Sequence, residues 1–123
     1  MSLISNLFIH SIRDVAVVTV SEKKLLDTYK VQQLASDLQE LVEVRNERKL
    51  ILDLTKVSQI SPAVVRVLLE LKERADEAKG KVVLCGLQPE VKKLAKIADL
   101  HKVFSCYNDE EGALRAFGMT TAG

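Results

Sequence analysis

The chain has 123 residues, of which 47% are hydrophobic and 28% charged, with 18 basic against 17 acidic side chains. That length suffices for one domain with its own core, and the near-zero net charge provides no field to draw nucleic acid or an anionic membrane. Aromatic residues are only 4%, with no Trp, which removes the stacking platforms of single-strand nucleic-acid binders, and no apolar run approaches the roughly 18 residues of a membrane span.

Residues 7–10 and 15–20 read as strands, joined by Ser11-Ile12-Arg13-Asp14 in a hairpin-like antiparallel pair. The first twelve residues lack the basic start and long apolar segment of a secretion signal, so a cytoplasmic location is expected. After a polar stretch, Val31, Leu34, Ala35, Leu38, Leu41 and Val42 recur at helical spacing, with Gln32, Gln33, Asp37, Gln39 and Glu40 outside the stripe. Asp27 or Thr28 is the expected N-cap of that helix.

Residues 50–71 organise the rest. An uninterrupted apolar run ending in Asp53 fits a central strand buried on both faces. A polar loop follows, and then Ser61 as N-cap and Pro62 as first residue open a helix, since proline there loses no hydrogen bond. Val64, Val67, Leu68, Leu71, Ala75 and Ala78 form its inward stripe. Val65 and Leu69 fall off it, and either a neighbouring element covers them or they form a partner-binding patch.

Gly80 is expected to cap that helix and residues 82–85 to form a strand. Gln88-Pro89-Glu90 starts a helix with Val91, Leu94, Ala95 and Ala98 inward and Lys92, Lys93 and Lys96 wet. Residues 103–107 read as the last strand, and Asn108-Asp109-Glu110-Glu111 opens a helix with Ala113, Leu114 and Phe117 in the core. The expected fold is α/β: a single domain, residues 1–118, with an open mixed β-sheet in the order β-β-α-β-α-β-α-β-α, followed by a flexible tail at 119–123.

Little chemistry is encoded. Neither a glycine-rich dinucleotide fingerprint nor a P-loop occurs, and His10 and His101 have no nucleophile at a recognised spacing, so no enzyme activity and no cofactor are expected. Cys85 and Cys106 sit in apolar strand-like runs, which points to free, buried, structural thiols; with the histidines they show no metal-ligand spacing, and no metal site is expected. Asp53 ends a buried strand, where a phosphate-accepting aspartate of the receiver type sits. The acidic pair and the lysine that such a site needs are missing after the first and last strands, and Asp53 reads better as a cap on its own loop.

From Asp53 to Leu69 the chain resembles, without a gap, the signature of STAS domains, the family of bacterial anti-sigma factor antagonists, D-L-S/T-x-V-x-x-I-D-S-S/T-G-L-G-V-L-L. Asp53, Leu54, Thr55, Val57, Ile60, Val67, Leu68 and Leu69 match it. Cys85-Gly86-Leu87-Gln88-Pro89-Glu90-Val91 is similar to the family's V-G-L-x-P-E-V turn, and the stretch 97–104 to its helix end and last strand, so the resemblance spans nearly the whole domain.

The departure lies in the functional loop. Where the family has D-S-S/T-G-L-G, this chain has Ser61-Pro62-Ala63-Val64-Val65-Arg66, and the hydroxyl phosphorylated in the family falls on Ala63, which cannot accept phosphate. Ser61 is the candidate replacement, although an N-cap hydroxyl would be committed to a backbone amide. The resemblance implies a non-catalytic regulatory module that binds an anti-sigma factor kinase or another cytoplasmic regulator through Ser58, Gln59, Ser61, Pro62, Ala63, Val65, Arg66 and Leu69. A self-associating scaffold subunit is the alternative, with homo-oligomers left open; neither nucleic acid nor membrane insertion is expected.

Overall fold

The computed structural model describes residues 7–118, so the tail expected at 119–123 lies outside the described residues. Two antiparallel strands, β1 (Leu7–Ile12) and β2 (Val15–Val20), open the fold, and each residue of β1 pairs with one of β2. β1 runs two residues further than the apolar pattern indicated, and Arg13 and Asp14 make the turn, with Arg13 at a φ of 57°. Next to β2 come β4 (Lys49–Asp53), β6 (Lys81–Cys85) and β7 (Cys106–Tyr107), all parallel, giving the order β1-β2-β4-β6-β7. Parallel neighbours need crossovers, and the helices supply them.

The sheet is covered on both faces. Along β2, β4 and β6 side chains alternate, so Ala16, Val18, Val20, Leu50, Leu52, Val82 and Leu84 join the larger core beneath helices α1 (Thr28–Glu43) and α2 (Pro62–Glu77). Val91 and Ala95 of α3 (Pro89–Ile97) and Leu100 of α4 (Leu100–Val103) complete that side. On the other face Val15, Val17, Ile51, Val83 and Cys85 pack with Ala113 and Leu114 of α5 (Glu110–Ala116). That double burial is why these strands read as continuous apolar runs.

Asp27 is the N-cap of α1, its Oδ1 accepting from Tyr29 N at 2.8 Å and Lys30 N at 3.2 Å. Several expectations need correction. Asp37 is not on the wet face of α1 but 5% exposed, because the turn carrying Gln33 and Asp37 faces the open end of the β1-β2 hairpin. Two short strands escaped the pattern: β3 (Lys24–Leu25) and β5 (Gln59–Ile60) pair in parallel as a separate ribbon.

The last strand is shorter than expected. Leu100 and Phe104 are both buried, and Phe104 N bonds Leu100 O at 2.8 Å, so their four-residue spacing is helical and only Cys106–Tyr107 remain as strand. Cys106 is exposed on this edge strand and does not share the buried environment of Cys85. At the end of α2 the left-handed residue is Lys79, at a φ of 61°, rather than Gly80. Gly80 is needed for another reason: a Cβ there would lie 2.6 Å from the carbonyl oxygen of Arg48, where the chain enters β4.

Candidate partner-binding site

The loop from β4 to α2 is tied down before it reaches the surface. Leu54 N bonds Cys85 O at 3.0 Å, Val57 N bonds Leu54 O at 3.0 Å, and Gln88 Nε2 donates to Thr55 O at 2.6 Å. Asp53, 8% exposed, accepts from Thr55 N at 2.9 Å and from the Thr55 hydroxyl. Gly86, at a φ of +69°, passes so close that a Cβ would collide with the Thr55 hydroxyl oxygen and crowd Asp53.

Burial alone would lift the Asp53 carboxyl, but hydrogen bonds from Glu110 and Thr55 outweigh it and hold the group below its ordinary value. Asp53 therefore braces its own loop, as the sequence suggested. Cys85, paired with it across the sheet, is pushed up to about 12, chiefly by burial and further by Asp53, Glu110 and Asp109. A thiol so far from its thiolate is inert at neutral pH. Among the described residues no group of three or more His, Cys, Asp or Glu is arranged to hold a metal ion.

The second half of the loop hangs on the β3-β5 ribbon. Ser58 N and Ser58 Oγ both donate to Lys23 O, at 2.8 Å and 3.0 Å, and Ser61 N donates to Leu25 O at 3.0 Å. Ser61 occupies the N-cap position with extended backbone, yet its hydroxyl makes no cap bond and, among the described residues, has no hydrogen-bond partner although it is buried. The expected capping role is thus corrected. Pro62 has no N–H to offer, and Val64 N is taken by the carbonyl of Ser61 itself at 2.9 Å.

Of the residues expected to meet a partner, Gln59, Pro62, Ala63 and Arg66 are exposed, whereas Ser58 and Ser61 are half-buried. Val65, expected among the contact residues, is 8% exposed and belongs to the larger core, so it anchors α2 and offers little surface to a partner. The first turn of α2 rolls it against that core. Leu69, at 37% exposure, stays at the surface, on the same helix as Arg66 and three residues beyond it.

Two grooves lie near this helix start, joined at Leu26. One, of about 380 Å³, runs between α1 and α2 past Gln32, Ser61, Ala63 and Arg66. The other, of about 460 Å³, lies between β5 and α3 beside Ile60, Leu94 and Ile97. Leu26, half-exposed, borders both, and Ile97 is 80% exposed. The sequence reading missed Leu26 and Ile97, although Leu26 was legible as a large apolar residue in a polar connecting stretch and Ile97 as one outside the inward stripe of its helix.

A sheet with this strand order, an aspartate-braced loop and an exposed helix start at Ala63 can be compared with known proteins. The family model for the STAS domain matches residues 8–113. The chain belongs to the STAS domain family. A relative from Bordetella bronchiseptica, the proposed anti-sigma factor antagonist BtrV, is 31% identical over 93 residues, covering 76% of this chain and 79% of BtrV. The crystal structure of an anti-sigma factor antagonist from Mycobacterium paratuberculosis superposes with a TM-score of 0.80 at 20% identity, covering 92% of this chain and 93% of that one. A chain of the stressosome, described as a signal integration and transduction hub, has a TM-score of 0.70 at 21% identity, covering 89% of this chain and 95% of its own. The STAS domain described here therefore has the fold of anti-sigma factor antagonists, and none of its described helices is long and apolar enough to cross a membrane.

Proposed function

We propose that this STAS domain is a non-catalytic regulatory module that works in the cytoplasm as an anti-sigma factor antagonist. It engages an anti-sigma factor kinase, or another regulator of the same kind, through the exposed start of α2. The observation that carries the reading is Ala63: it is exposed on the first turn of α2, lines the groove between α1 and α2, and presents a methyl group at the family's phosphate-accepting position. Binding at this position is therefore constitutive, without the charge that a phosphate would place in the interface.

Contact falls to Arg66, Leu69, Pro62 and the groove-lining Leu26, with Gln59 at the margin. Ser61 does not replace the missing switch. Its hydroxyl is uncommitted, but it is also buried and not presented to a kinase. The test is capture of the partner from the native cell with wild-type and Arg66→Glu protein, together with phosphosite mapping of the purified chain. Retention of a sigma-pathway regulator by the wild type alone, with no phosphate on Ser61, supports the reading; phosphate on Ser61 with binding lost in Ser61→Asp overturns its constitutive part.

A second reading, a self-associating scaffold subunit, is favoured by the likeness to a stressosome chain. Light scattering on the purified domain separates the two, since a scaffold subunit assembles without another protein.

A further inference from the structure

A pocket separate from the α2 surface opens where α1 crosses the open end of the β1-β2 hairpin. It has a volume of about 140 Å³. Its body is apolar, with Leu7, Val20 and Leu34 among the walls. A dry apolar cavity of about 150 Å³ holds a molecule the size of benzene, so the space is right for one ring or a short alkyl chain.

One lining residue does not fit an apolar cavity. Asp37 is 5% exposed, and its Oδ1 accepts a hydrogen bond from Gln33 Nε2 at 3.2 Å. The amide of Gln33 is neutral and leaves the carboxylate charge uncompensated. The nearby cation, Lys30, does not compensate it either, because its Nζ is held at 2.6 Å by Glu22, another lining residue. Among the described residues the charged lining thus holds two carboxylates and one committed ammonium, an excess of one negative charge beside an apolar body.

We infer that this pocket is a binding site for a small organic cation, a primary ammonium carried on an apolar body of about six or seven carbons. The ammonium donates to Asp37 and the hydrocarbon fills the space between Leu7, Val20 and Leu34. Burial raises the Asp37 carboxyl above its ordinary value, with the charge of Glu40 adding to the effect; a cation bound there reverses that direction. This site is independent of the partner reading of α2, and each stands or falls alone.

The test is an amide NMR titration of the whole chain at pH 7 with benzylamine and, as a neutral isostere, benzyl alcohol. Benzylamine should give saturable shifts at the amides of Val20, Leu34 and Asp37, with a Kd at or below about 5 mM, reasonable for so few heavy atoms. It should bind at least about tenfold more tightly than the alcohol, the usual worth of a charge-assisted hydrogen bond. Asp37→Asn should bring that preference below about threefold while the spectrum stays dispersed, and Leu34→Phe, which fills the pocket, should abolish the shifts with both probes. Should Leu34→Phe fail to fold, the two probes and Asp37→Asn still decide. Equal binding of amine and alcohol, unsaturable shifts at those amides, or a preference of threefold or more surviving in Asp37→Asn overturns the assignment and leaves a hydrated gap.

Discussion

Glu110, the first residue of α5, and Asp53, the last residue of β4, are two carboxyl groups set against each other across the second face of the sheet, and their interaction raises the one and lowers the other. The hydrogen bond to Asp53 comes first among the causes, followed by burial and the charge of Asp53, and together they push Glu110 from its ordinary 4.5 up to about 7. Asp53 moves the opposite way.

The pH dependence of stability follows from these directions. In the folded state Glu110 binds its proton more tightly than in the unfolded chain, so its contribution is complete below about pH 4.5 and is lost as the pH rises through about 7. The depressed Asp53 contributes above its ordinary value of 3.8 and loses that contribution as the pH falls. Urea midpoints should therefore decline between about pH 5 and pH 8, and Glu110→Gln, which keeps a donor near Asp53 without titrating, should flatten that decline. An unchanged slope in Glu110→Gln would place the titration elsewhere.

The inward face of α2 gives a second expectation. Leu68 is 2% exposed within the larger core, and Leu68→Ala should cost about 2 to 5 kcal/mol in chemical denaturation. Val65→Ala should also cost stability, by roughly 1 to 3 kcal/mol, because its side chain is core rather than interface. Arg66→Glu, at an exposed position, should change stability by less than about half a kcal/mol. A stable Val65→Ala that loses its partner would reverse the assignment of Val65.

These side chains also mark how far the sequence could be read. The helix start at Pro62, the strand ending in Asp53 and the loop-bracing role of Asp53 were all legible, because each rests on local rules: proline's missing donor, an apolar run of strand length, and an aspartate two residues before an amide it can accept from. Val65 and Asp37 were not legible, since both lie at the border of a helical stripe. Their burial depends on where the neighbouring layer sits, which periodicity does not encode. The β3-β5 ribbon escaped because two residues are too few to alternate. The silent Ser61 hydroxyl reflects competition for Val64 N from a carbonyl, invisible in a list of residue types.

The two cysteines, alike in sequence context, should now behave differently. Cys106 is exposed on the edge strand, whereas Cys85 is buried and its thiol lies at about 12. Titration of the native protein with a chromogenic disulfide reagent at pH 8 should give one fast equivalent and a second only after denaturant is added. Cys106→Ser should remove the fast equivalent. Two slow equivalents would mean that β7 is better covered than its edge position indicates.

The last expectation concerns charge at the start of α2. Ala63 is on the first turn, where no acidic residue is present and where the helix's own dipole favours a negative group. Ala63→Asp should therefore leave folding intact, or stabilise it by a few tenths of a kcal/mol, while placing a carboxylate in the groove that Leu26 also lines. If the partner meets this surface with apolar or acidic groups, as the absence of a phosphate-accepting hydroxyl would allow, affinity should fall by roughly tenfold or more. Ala63→Ser should bind as the wild type does until a kinase acts on it, and should then lose affinity in step with phosphate incorporated. The measurement is calorimetric titration of the captured partner with each variant, alongside thermal unfolding. Undiminished binding by Ala63→Asp would move the interface away from the helix start, whereas parallel losses of binding and stability would show only that the substitution damages the fold.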